Sequence, residues 1–111
     1  MDASAAVFAV LADPTRRAVV SRLAYGPATA GQLAELASMS RPAVSQHVKV
    51  LREAGVVRAS RDGKFIWYGL DGETLVEAER WLRALVDIWA AAPAERSGRD
   101  AARQLRRAQL S

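Results

Sequence analysis

Residues 29–55 read TAGQLAELASMSRPAVSQHVKVLREAG. Thr29 followed three residues later by Gln32 is a capping box: the hydroxyl accepts from the third backbone N–H, and the glutamine reaches back to the cap. Leu33 and Leu36 follow as the expected buried positions. Ser38-Met39-Ser40 supplies a turn, with Met39 in its corner. Ser40 then caps a second helix, and Pro42 sits in its first turn, where a missing N–H costs nothing. Val44, His47, Val48 and Leu51 fall at i, i+3, i+4 and i+7, a single helix face, and Gly55 is the stop. Two helices joined by a turn of about three residues form a helix-turn-helix, the layout that sets a recognition helix into the DNA major groove.

Working outward, residues 3–11 predict a short helix, and Asp13-Pro14 starts another, with Val19, Val20 and Leu23 on its buried face and Gly26-Pro27 at its end. On the other side, residues 56–61 and 64–70 flank Asp62-Gly63, a strong β-hairpin signal. Residues 73–92 return to helical spacing (Leu75, Ala78, Leu82, Leu85, Ile88, Trp89), closed by Pro93. The Arg- and Ala-rich stretch from Glu95 is a frayed helix or disorder. The fold class is mainly α with a β-hairpin wing: a winged helix-turn-helix in the order α-α-α-α-β-β-α. Residues 1–92 form the domain, and 93–111 a basic tail, helical or disordered.

The chain has 111 residues, half of them apolar, which supports one domain with one core. It has no cysteine, so disulfides and thiolate metal sites are excluded. No apolar run reaches the roughly 20 residues of a membrane span, and no signal peptide is evident; a cytoplasmic protein is expected. The net charge of +4 is unevenly spread. Residues 41–64 carry six cations (Arg41, Lys49, Arg52, Arg58, Arg61, Lys64) against Glu53 and Asp62, whereas residues 71–95 carry six anions against Arg80 and Arg83. A basic middle beside an acidic helix points to one polyanion-facing surface and one kept off the polyanion.

With the stripe of the second helix turned inward, Arg41, Pro42, Ser45, Gln46 and Lys49 lie on its opposite side. Arginine can take guanine O6 and N7 in bidentate fashion, and glutamine the N6 and N7 of adenine. Ser45 can reach base or phosphate, and Lys49 suits a phosphate. Arg58, Arg61 and Lys64 are expected to cluster at a basic hairpin tip lying along phosphates or in the minor groove. His47, the sole histidine, is expected to be a packed, hydrogen-bonded core residue. Trp81 and Trp89 are eight apart on the last helix and share a face, and an apolar small-molecule inducer could bind beside them. No Ser/His/Asp arrangement and no glycine-rich phosphate loop is present, so neither an enzyme nor a cofactor is expected.

Five blocks carry a family likeness: Leu11 to Arg17 (LADPTRR), Gln32-Leu33-Ala34, Ser40 to Leu51 (SRPAVSQHVKVL), Ala54 to Val57 (AGVV), and Gly63 through Tyr68 to Leu70. In that order they resemble the ArsR/SmtB-type winged-helix repressors, over about residues 5–92. The resemblance implies a homodimeric DNA-binding transcriptional regulator, usually a repressor, on a pseudo-palindromic operator. It places the dimer interface on the first and last helices, here Val7 and Phe8 with Trp81, Leu82, Leu85, Val86 and Trp89. Two-fold symmetry would set the recognition helices about 34 Å apart. Two features depart from the family. Ser38 stands where the turn often has glycine. The cysteine pairs or Asp/His clusters through which many members sense metals are also missing, since residues 73–92 contain no histidine. The chain therefore resembles the metal-independent branch. The alternative to a gene regulator is a protein-interaction or dimerisation adaptor whose DNA binding is incidental.

Overall fold

The computed structural model describes residues 3–92 and 98–110. In chain order the elements are α1 (Ala3–Val10), α2 (Pro14–Leu23), β1 (Ala28–Thr29), α3 (Ala30–Ala37), α4 (Arg41–Glu53), β2 (Val57–Asp62), β3 (Phe65–Leu70), α5 (Gly72–Ala91) and α6 (Gly98–Leu110). They group into two compact units, residues 1–79 and 80–111, divided within α5. The expected stop at Pro93 and the start of the tail lie outside the described residues; residues 98–110 are helical.

Each junction in the first unit has a local chemical cause. Asp13 caps α2 by accepting the Arg16 N–H at 2.9 Å. The side chains of the same motif bond back to the end of α1. Arg16 Nε donates to the Val10 carbonyl at 2.7 Å, and Arg17 Nη1 to those of Leu11 and Ala12 at 2.8 and 3.1 Å. Two arginines thus occupy carbonyls that a helix end leaves without intrahelical partners. The capping box of α3 is present in both directions, Gln32 N–H to Thr29 Oγ1 and Thr29 N–H to Gln32 Oε1. At the end of α4, Gly55 adopts φ +78, with Val56 N–H bonded to Leu51 O and Gly55 N–H to Arg52 O, the paired closure of a Schellman motif.

The sheet has three antiparallel strands in the order β1-β3-β2, one more than the sequence predicts. Ala28 pairs with Tyr68 and Thr29 with Trp67. Two residues after Gly-Pro are too short to show a strand period, and Thr29 had a sufficient reading as a helix cap. The hairpin turn also shifts by one residue: Asp62 pairs with Phe65, so Gly63-Lys64 is the loop. Gly63 takes φ +60 and Lys64 does not have positive φ, the pattern of a type II′ turn.

The core gathers Val7, Val10, Val19, Leu23, Ala28, Leu33, Val44, Val48, Leu51, Val56, Val57, Tyr68 and Ala78. Met39 packs against it, as the turn requires. Leu36 does not: it is 53% exposed, because the short α3 turns only Leu33 fully inward. His47 is also displaced from the expected role. It is half-buried, its Nδ1 lies 3.9 Å from Asp13 Oδ2, and that nitrogen has no hydrogen-bond partner among the described residues. It stands where the Asp13 cap of α2 comes beside α4.

Candidate nucleic-acid interface

Helix α4 places its apolar positions first. Val44 and Leu51 are fully buried and Val48 nearly so, and this fixes the rotation of the helix. Arg41, Pro42, Ser45, Gln46 and Lys49 consequently all stand exposed on its other side. Ser40 Oγ accepts the Ala43 N–H at 3.3 Å, which holds the start of the helix. None of the described residues of the first unit covers this face.

The hairpin comes up beside the N-terminal half of α4. Arg41 and Ser45 line a cleft of about 420 Å3 together with Thr29, Ala30 and Gly31 at the start of α3 and with Lys64, Phe65, Ile66 and Tyr68 of the hairpin. The Arg41 guanidinium lies over Gly31, whose absent Cβ would sit 3.1 Å from Nη2. Lys64 Nζ lies 5.4 Å from the centroid of the Phe65 ring, a cation–π arrangement that leaves its charge at the tip.

The three hairpin cations do not form the single cluster expected. Successive strand residues alternate faces, so Arg58 and Arg61, three apart, point to opposite sides. Arg61 pairs with Ile66 next to the turn, whereas Arg58 pairs with Gly69 near the base of the hairpin. Arg58 instead joins Lys49 and Arg52 in a second hollow, completed by Glu53, Val57 and Ala59. Arg52 was not among the expected contact residues. Its signal was its spacing, one helical turn beyond Lys49 on the same exposed side.

Of the expected dimer residues, Val7 is fully buried in the core of its own protomer and offers no side chain to a partner. Helix α1 is short, and Val7 and Val10 seal the core, leaving Phe8 outward at 37% exposure. Trp81, Leu82, Leu85, Val86 and Trp89 are all exposed, at 46–61%, along one stripe of α5.

One carboxylate has a shifted titration. The Arg16 backbone N–H holds the Asp13 carboxyl below its ordinary value of 3.8; desolvation opposes this, and the charges of Arg16 and His47 assist it. Among the described residues no group of three His, Cys, Asp or Glu side chains could hold a metal ion. No helix of the described residues is long and apolar enough to cross a membrane.

A family model described as a helix-turn-helix domain matches residues 11–59. The transcriptional repressor SdpR of Bacillus subtilis (strain 168) is 38% identical over 76 residues, covering 68% of this chain and 84% of that protein. The chain belongs to the ArsR/SmtB-type winged-helix regulators. The crystal structure of the ArsR family transcriptional regulator RHA00566 superposes with a TM-score of 0.73 at 34% identity, covering 80% of this chain and 98% of that one. The homodimeric winged helix-turn-helix DNA-binding domain of Mb0332 from Mycobacterium bovis, a possible ArsR-family regulator, does so with a TM-score of 0.62 at 29% identity, covering 86% and 85%. The fold is thus a winged helix-turn-helix, with α3 and α4 as its helix pair and β2–β3 as the hairpin wing.

Proposed function

We propose that this regulator is a sequence-specific repressor that binds a pseudo-palindromic operator as a homodimer in the cytoplasm, and that it does so without a metal ion. The observation that carries this reading is the open, polar face of α4, fixed by its buried stripe and flanked by a cationic wing. Gln46 and Ser45 face base edges, while Arg41, Lys49, Arg52, Arg58, Arg61 and Lys64 supply phosphate contacts or, in the case of Arg41, a bidentate grip on guanine. Pro42 packs against the groove wall at the first turn. Residues 1–92 act as the DNA-binding and dimerisation domain, with 93–111 as a basic appendage.

The homodimer is supported by the exposed stripe on α5 and by the homodimeric relative. Phe8, Trp81, Leu82, Leu85, Val86 and Trp89 are the residues a second copy would cover. Metal independence is supported by the lack of cysteine and of a suitable donor cluster among the described residues. Selection of bound duplexes from a random pool tests specificity, half-site symmetry and spacing together. Recovery of an inverted repeat with centres one helical turn apart is the expected result. A pool with no enriched sequence would overturn the sequence-specific reading.

A further inference from the structure

The outer face of the hairpin, turned away from the core, carries a cleft of about 600 Å3 lined by Arg58, Ser60, Asp62, Trp67, Gly69 and Pro27. Gly69 lies directly opposite Arg58 in the ladder. Nothing in the fold calls for glycine at this position. Its φ is not in the left-handed region, and a Cβ built there would meet no atom within 4 Å. Glycine inside a strand weakens it, and it leaves the backbone open to close approach by a ligand or another chain. Trp67, half-buried, walls one side of this bare floor, with Ser60 as its cross-strand partner. Among the described residues no hydrogen bond or ion pair engages the Arg58 guanidinium, the Ser60 hydroxyl or the Trp67 indole N–H.

We infer that this face binds a small planar aromatic carboxylate, with its ring on the Gly69 backbone beside Trp67 and its carboxylate on the Arg58 fork. Arg58 and Trp67 are diagonal neighbours across the ladder, and such positions stand about 7–8 Å apart, which matches a molecule of benzoate size. A guanidinium meets a carboxylate through two parallel hydrogen bonds. The charge of the cleft suits a monoanion: Arg58 is its single cation, and Asp62, four residues further along the same strand face, repels a second negative charge.

The consequence for regulation rests on the DNA-binding reading. Arg58 also lines the basic hollow with Lys49 and Arg52, so a carboxylate that claims its guanidinium removes one phosphate contact. By counterion release, one contact is worth about fivefold in affinity at 0.15 M salt. The ligand thus acts as an inducer from the wing, not from the tryptophans of α5.

The test uses the full chain and benzoate, with benzamide as the uncharged control. The indole N–H resonance of Trp67 is identified by its loss in Trp67→Phe. Benzoate is expected to shift that resonance saturably and benzamide to leave it unmoved. Arg58→Ala and Gly69→Val, the latter filling the floor with a good strand former, should both abolish the shift. Gly69→Val should bind DNA as the parent does and lose the fivefold weakening by benzoate. An unmoved Trp67 resonance at millimolar benzoate, or a shift that survives Arg58→Ala, would overturn the site. A saturable shift with unchanged DNA affinity would overturn the coupling alone. A protein that shows the shift yet binds no DNA would overturn the repressor reading and leave the site standing.

Discussion

Ser38 is the only non-glycine among the described residues with positive φ, at φ 51 and ψ 44. It closes α3 by directing Met39 N–H to Ala34 O at 3.1 Å. An L-residue in this region is strained by about 1–2 kcal/mol, part of which glycine returns as lost chain entropy. Ser38→Gly is therefore expected to stabilise the protein by about 0.5–1 kcal/mol, read from chemical denaturation. Under the proposed DNA-binding reading, Gln46 and Lys49 would make the two different kinds of DNA contact. Gln46→Ala should cost about 1–3 kcal/mol and relax preference at one base position. Lys49→Ala should weaken all sequences alike and reduce the slope of log K against log salt by about 0.9. A Gln46→Ala protein with unchanged base preference would show that α4 meets DNA in another orientation. Asp13 gives the pH dependence its sign. Its carboxyl titrates lower in the folded chain than in the unfolded one, so its contribution is complete above the ordinary carboxylate range and fades as pH falls through the folded value. Asp13→Asn keeps a cap oxygen that does not titrate. The stability difference between parent and variant should thus be largest at neutral pH and shrink on acidification.

Thr29 belongs to two elements at once, and this explains what could and could not be read along the chain. Its hydroxyl caps α3 while its backbone pairs with Trp67 to form β1. The cap was legible because it is a local i, i+3 pattern, as were the buried stripe of α4 and the Gly55 stop. Strand β1 was not, because it exists only through a partner some forty positions away in sequence. The hairpin was legible as an element, but its register was open by one residue: Asp62-Gly63 and Gly63-Lys64 are both acceptable turns, and pairing along β2 and β3 decides between them. That one-residue alternation also sends Arg58 to the outer face, a consequence invisible to a count of nearby cations. Leu36 and His47 are less buried than their helical spacing predicts, since periodicity gives an angle but not how far a neighbouring element extends. Thr29→Val tests the double role: a β-branched residue retains the strand and loses the cap. A loss of about 1 kcal/mol in stability, with the hairpin amides still protected from hydrogen exchange, is expected. Loss of that protection would show that the cap and the strand stand or fall together.

For the molecule as a whole, the apolar stripe of α5 and the polar face of α4 make separate demands. Leu82, Leu85 and Val86 are about half exposed, and they lie in the acidic stretch least suited to meeting a polyanion. On the proposed two-fold operator, one α4 would cover a single half-site. Linking two through a dimer makes the second binding event intramolecular, and such linkage raises overall affinity by about 10²–10⁴ without a new contact to DNA. Leu85→Glu places a charge in the middle of the stripe, at a position already 47% exposed in the protomer, so helix content should be retained. Light scattering after size exclusion should report a monomer at concentrations where the parent is a dimer. The variant should lose about two to four orders of magnitude in affinity for a two-half-site duplex, while its affinity for a single half-site stays the same. A variant that remains dimeric would move the interface off α5. A monomeric variant with undiminished operator affinity would mean that one protomer suffices, and the two-fold operator would have to be abandoned.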